Sequence, residues 1–150
     1  MPFHLWLAVA HVEAPTIGSM LLAGLILKLG GFGILRYVVL LFPAESYVFK
    51  FYIISLCCIG YTFATFAAIC QVDIKRFIAF TSIAHMNFSL GTLFTLQKLG
   101  FMAFFHTMIS HGFISIGLFF LVGFLYSQIG SRDFLQVKGL ANSMPVFSSY

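Results

Sequence analysis

Charged residues are so sparse along this chain that they punctuate it. Residues 51–72, 77–97 and 99–131 contain no Asp, Glu, Lys or Arg, and residues 16–42 contain only Lys28 and Arg36. Crossing the hydrocarbon core of a bilayer takes about 20 helical residues. The pattern therefore predicts four transmembrane helices, at about 16–42, 50–70, 74–96 and 100–128. A closed barrel would show alternating segments of about ten residues, which do not occur here. Helices also satisfy their own backbone in lipid. Residues 1–12 are apolar but too short to span, so they read as an N-terminal half-helix, and residues 129–150 form a tail. The fold class is all-α integral membrane.

Local signals sit at the ends of these spans. Pro15 suits the first turn of a helix, where a missing N–H costs nothing. Phe42-Pro43-Ala44-Glu45 ends that helix, and Asp73 is placed to cap the third span through its side-chain oxygen. Lys98-Leu99-Gly100 reads as a tight turn before the fourth. Four spans put both termini on one side. That side collects Lys75, Arg76, Arg132 and Lys138, against Lys50, Lys98 and Arg36 opposite, so the positive-inside rule places the termini in the cytoplasm or matrix.

Composition closes off the alternatives. Twelve of 150 residues are charged, 61% are hydrophobic and 20 are Phe. A soluble domain carries about 25% charged residues and needs a polar surface that this chain lacks. Disordered chains are poor in apolar residues, so disorder is excluded as well. The net charge of +4 is scattered, with no basic stripe to track nucleic acid. Cys57, Cys58 and Cys70 lie in apolar sequence without metal-ligand spacing and read as small hydrophobes. The first residues show no signal or transit peptide, an expectation of synthesis where the chain inserts: in a bacterium or from an organelle genome.

Lys28 changes the picture most. It lies 13 residues after Pro15 and 15 before Pro43, roughly 20 Å from either end at about 1.5 Å per residue. A lysine cannot snorkel that far, and a charge at mid-membrane costs at least about 2.5–3.5 kcal/mol. A structural ion pair with a neighbouring chain would account for it. A proton-relay role accounts for it better, because intramembrane ionisable groups mark proton paths. Gly24, Gly30, Gly31 and Gly33 surround it, allowing either close helix contact or a local distortion. His85 and His111 sit at similar depth on the third and fourth spans, with Thr107 and Ser115 one turn from His111. Histidine exchanges protons near neutral pH. Lys28, His85 and His111 are the candidate relay, whereas His106 points about 140° away from His111. The remaining charges, Lys75 and Arg132 among them, read as interfacial anchors or loop charges. Glu13 reads as an anion at a helix N-terminus. No dinucleotide fingerprint, phosphate loop, metal cluster or nucleophile–base pair is present in the sequence. The rival functions are a haem b anchor built on His85 with His111 or His106, and a purely structural subunit.

The same residues carry a resemblance. Pro2-Phe-His-Leu-Trp-Leu, Ala10-His-Val-Glu-Ala-Pro-Thr16, Gly18-Ser19-Met20, Leu27-Lys-Leu-Gly-Gly-Phe-Gly-Ile-Leu-Arg36, Gln71-Val-Asp-Ile-Lys-Arg-Phe-Ile-Ala79, Ser82-Ile-Ala-His-Met86 and Ile109-Ser-His-Gly112 resemble the central part of the NADH dehydrogenase subunit 4 family. Arg132 followed by Gly139-Leu140 extends the match. Ala8 departs from it, since the family has proline there. The resemblance implies an antiporter-like subunit of respiratory complex I, with 14 helices in two inverted repeats, each with a broken helix. It gives the lysine matching Lys28 a central proton-carrying role and lines a hydrated half-channel with the histidines matching His85 and His111. It implies no cofactor in this chain, with NADH, FMN, iron–sulfur clusters and ubiquinone bound by other subunits. The implied partners are other fragments of the same subunit, antiporter-like subunits 2 and 5, supernumerary subunits and lipids such as cardiolipin, with no nucleic acid. The implied location is the mitochondrial inner membrane, or a bacterial plasma membrane. Family members are roughly three times as long, so the chain is expected to be a piece of a split subunit or a fragment of a longer one.

Overall fold

The computed structural model describes residues 4–134, all helical apart from short connections. The helices are α1 (Leu5–Glu13), α2 (Thr16–Val39), α3 (Pro43–Ile69), α4 (Ile74–Leu93) and α5 (Lys98–Ile129). Helices α2, α3 and α5 are long and apolar enough to cross a membrane. Helix α4 has the length, but Lys75, Arg76, Thr81, Ser82, His85, Asn87, Ser89 and Thr92 make it the polar member. It packs between α1, α3 and α5.

Proline decides where α1 stops and α2 starts. Ala14 and Pro15 are both extended, with ψ of 146° and 163°. A residue before proline is pushed out of the α region, and proline has no N–H to continue a helix. Pro15 thus precedes the first turn of α2 rather than lying inside it. The chain doubles back at this break. Helix α1 runs antiparallel to α4, with Ala8 in the cluster around Ile83 and Ala84, and Ala14 beside Lys75. Helix α2 runs antiparallel to α5, where Thr16 meets Gly123, Gly24 meets Ile116 and Gly31 meets Met108.

Two boundaries and one cap differ from the expectation. Helix α3 begins at Pro43, not at residue 50, because Pro43 is a favourable first-turn residue and Glu45 sits well beside the helix N-terminus. Lys50 therefore lies inside α3, its ammonium 4.0 Å from the Tyr47 ring centre and 5.0 Å from that of Phe51. Lys98 is already helical, so the turn between α4 and α5 falls at residues 94–97, where Leu96 takes φ of 56°. Asp73 stands at the N-cap position of α4 but its side chain makes no cap bond. The Ile74 N–H donates instead to the Arg132 carbonyl at 3.1 Å, across an isolated bridge joining Asp73 and Asp133. Helix α5 ends on Gly130 at φ 76°, the left-handed conformation glycine adopts freely. Lys138, Gly139, Leu140 and most of the tail lie outside the described residues.

Small side chains bring the helices together. Ala64 and Ala68 of α3, Ala79 and Ala84 of α4 and Ala8 of α1 meet in one cluster with Leu7, Phe80 and Ile83. Such residues let backbones approach where lipid supplies no hydrophobic drive. A second cluster joins Leu35 and Val39 to Leu93, Phe94, Phe104 and Met108, and a third joins Ala23, Ile78, Phe119 and Val122.

Candidate proton-relay site

Helix α2 is not uniformly α-helical. Leu22–Ile26 and Ile34–Val39 are π-helical, bracketing the α-helical turns Leu27–Gly33 that carry Lys28. Wider π turns are rare and gather at functional sites. The Lys28 ammonium turns back along its own helix and donates to the Ala23 carbonyl, inside the first π segment. It also meets Nδ1 of His111 on α5, at 2.8 Å.

That second contact has two protonic forms. A charged Lys28 donates to the lone pair of Nδ1 on a neutral imidazole, whereas a neutral Lys28 accepts from an Nδ1–H. One proton can therefore change owner across the contact. The His111 ring in turn faces His85 of α4, with centroids 5.6 Å apart and the planes at 49°. His85 and His111 line a cavity of about 170 Å³ together with Thr81, Ser82, Thr107, Ser110 and Ser115. The hydroxyls of Thr107 and Ser115 donate to carbonyls of their own helix. Their oxygens keep a lone pair for a water.

Lys28, His111 and His85 thus come together in space, while His106 is exposed and away from them. Two of the four glycines around Lys28 explain the closeness. A Cβ on Gly24 would meet Ile116 Cδ1 at 2.5 Å, and one on Gly31 would collide with the end of Met108. Gly30 and Gly33 have nothing within 4 Å. Beside Lys28 a second, apolar groove of about 450 Å³ opens between α2 and α5, lined by Leu25, Phe32, Phe105 and Phe113 among others. The haem reading fits poorly, because the cavity shared by the two histidines is smaller than the roughly 300–1,000 Å³ of small-molecule and cofactor sites.

Other polar groups take places in the fold that the sequence did not indicate. Lys75 is buried, and its ammonium donates to the Ala14 carbonyl at 2.5 Å. Arg132 donates from Nη1 to the Val12 carbonyl at 3.0 Å and lies over the Tyr126 ring. Neither is a free interfacial anchor: both clasp the C-terminal carbonyls of α1, the end that favours cations. Glu13 is the last residue of α1 and stands two residues before Pro15, the N-cap of α2, so it lies between one helix C-terminus and the next N-terminus. His11 is fully buried against Phe119. In the sequence it stood only within the Ala10–Thr16 segment of the resemblance and seven residues from His4, a spacing that puts both on one face of α1.

A family model described as "NADH:quinone oxidoreductase/Mrp antiporter, TM" matches residues 1–150. The chain belongs to that family. Among its antiporter-family relatives, NADH-quinone oxidoreductase subunit M of Rickettsia prowazekii is 43% identical over all 150 residues of this chain and 30% of its own length. NADH-ubiquinone oxidoreductase chain 4 of Acanthamoeba castellanii is 44% identical over 98% of this chain and 30% of its own length. The corresponding protein of Marchantia polymorpha is 42% identical over 99% and 30%. The chain therefore spans about a third of the length of these relatives. It is a multi-pass membrane protein, with three helices among the described residues long and apolar enough to cross a membrane.

Proposed function

We propose that this chain is part of the proton-translocating membrane arm of an NADH:quinone oxidoreductase, and that it relays protons through Lys28, His111 and His85. The observation that carries this reading is the 2.8 Å contact between Lys28 Nζ and His111 Nδ1 across the interface of helices α2 and α5. Lys28 takes a proton from a neighbouring ionisable group of the membrane arm. It passes the proton to His111 across the contact, and the imidazole hands it on through water among Ser110, Ser115, Thr107 and His85. Hydroxyls and trapped water bridge gaps too long for direct transfer. Energy for the cycle comes from redox chemistry in other subunits, which hold the NADH, flavin, iron–sulfur and quinone sites. Helix α4 returns across the membrane between α3 and α5, making a four-span segment of a larger antiporter-like fold, in the mitochondrial inner membrane or a bacterial plasma membrane. The neighbours are the rest of the same subunit and the adjoining antiporter-like subunits.

The decisive experiment uses the assembled complex in proteoliposomes. Lys28→Ala is expected to leave assembly intact and nearly to abolish proton pumping, since positioned proton-transfer groups supply about 10²–10⁴-fold. Pumping per NADH at the wild-type level in that variant would overturn the relay.

A further inference from the structure

We propose that Lys75 and Arg132 hold a phosphate group at the α1–α2 break, either the headgroup of an anionic phospholipid or free phosphate. The site lies at the end of the bundle, away from the relay, and stands whether or not Lys28 carries a proton. It starts from a buried charge without a counter-ion. Lys75 is 4% exposed, yet among the described residues its ammonium donates to a neutral group, the Ala14 carbonyl. Arg132 has the same kind of partner, the Val12 carbonyl. Among the described residues, no carboxylate comes within 4.0 Å of either cation. Asp73 and Glu13 act on Lys75 only through space, and Glu13 is exposed. Buried charges are paired or bound to an ion, because an unpaired one in a low dielectric is costly. A carbonyl supplies a hydrogen bond but no opposite charge.

The two cations share a space. A cavity of about 130 Å³ is lined by Ala14, Pro15, Thr16, Lys75, Tyr126 and Arg132. An ammonium has three N–H donors and a guanidinium five, so both have donors to spare after their bonds to α1. The Arg132 guanidinium lies over the Tyr126 ring, its Cζ 4.4 Å from the ring centre, which steadies the fork. Helix α2 opens on the same space. Its first turn begins with the Ser19 N–H donating to the Pro15 carbonyl at 3.0 Å, so the N–H groups of Thr16, Ile17 and Gly18 have no acceptor within the helix. Pro15 supplies no side-chain cap.

An ammonium, a guanidinium fork and a helix N-terminus are together the donor set of a phosphate site. The oxygens of a phosphate form a tetrahedron and reach all three kinds of donor at once, whereas those of a carboxylate lie in one plane. The cavity also lies at headgroup level, where α1 and α5 end and α2 and α4 begin. Basic pockets between helices at that level bind anionic headgroups. A phosphate there neutralises the pair and ties the break between α1 and α2 to α4 and α5.

The test uses the native membrane protein with its co-purifying subunits, stripped of lipid in detergent. Two radiolabelled probes are compared, inorganic phosphate and phosphatidylglycerol in mixed micelles. The double variant Lys75→Gln with Arg132→Gln keeps an amide donor for each carbonyl and removes both charges. Wild type is expected to bind a saturable increment of phosphatidylglycerol, and the double variant to bind it at least about tenfold more weakly, the typical worth of a charged hydrogen bond. An increment for the lipid alone assigns a headgroup, and one that inorganic phosphate also gives assigns any phosphate. Equal binding of both probes by wild type and variant overturns the site and leaves the charges to a carboxylate of another chain. A second measurement needs no variant: phosphatidylglycerol is expected to slow protease cleavage near Ala14 in the stripped wild-type protein. Cleavage unchanged by either probe overturns the proposal, whatever the variant does.

Discussion

Lys28 is held by two acceptors of different kinds, a carbonyl of its own helix and the imidazole of another. The carbonyl receives the charged ammonium and cannot take its proton, whereas the imidazole can. Arginine separates the two roles. Its guanidinium stays protonated at any working pH, so Lys28→Arg preserves a cation and the hydrogen bonds while removing proton exchange. The variant is expected to assemble like wild type and to pump at least about tenfold more slowly, a comparison read in proteoliposomes against Lys28→Ala. A purely electrostatic role for Lys28 predicts that arginine restores pumping. The depth of Lys28 was legible from the spacing of Pro15 and Pro43 alone, as was the similar depth of His85 and His111. The 2.8 Å contact was not, because it joins residues 83 apart and depends on how close α2 and α5 come.

That closeness is a property of the two helices. Gly24 leaves room for Ile116, and an alanine there overpacks the interface at a cost of about 1–3 kcal/mol. Gly24→Ala is expected to lower both thermal resistance and pumping of the complex. Adding Ile116→Ala should recover much of each; no recovery would mean that Gly24 acts through something other than the α2–α5 distance. At the other end, Lys75 and Arg132 hold the carbonyls that close α1. Removing a charged donor from a buried carbonyl costs about 1.5–3 kcal/mol, so Lys75→Met should loosen the break and make protease cleavage near Ala14 faster in the membrane. The helices themselves were readable from charge-free windows, but their ends were less so. Lys50 and Lys98 sit inside helices because aliphatic stems tolerate apolar surroundings while the charge reaches aromatic faces or the interface. Lys75 beside Arg76 looked like a loop pair, since its partner Ala14 is 61 residues away and the Arg132 partner Val12 is 120 away. The π turns carry no local signature beyond the glycines near them.

Across the whole molecule, apolar side chains face outward on every helix, with Phe51, Phe66, Phe113 and Leu99 among the most exposed. Such a surface is stable only against lipid or other helices. Among the described residues, the polar groups near mid-depth on that surface include the exposed His85 and Lys28, the latter half-buried at the mouth of the 450 Å³ groove. A copy inserted without its neighbours therefore turns an ammonium toward acyl chains, at a cost of at least about 2.5–3.5 kcal/mol if it stays charged. A chain expressed alone is expected to be cleared from the membrane faster than the same chain in the complex, and Lys28→Leu should slow that clearance in a pulse-chase measurement. Equal lifetimes for the two orphan chains would show that the groove does not govern turnover. If Lys28 carries the proton as proposed, the same ammonium would also mark a stray subunit for a membrane protease that spares an installed one.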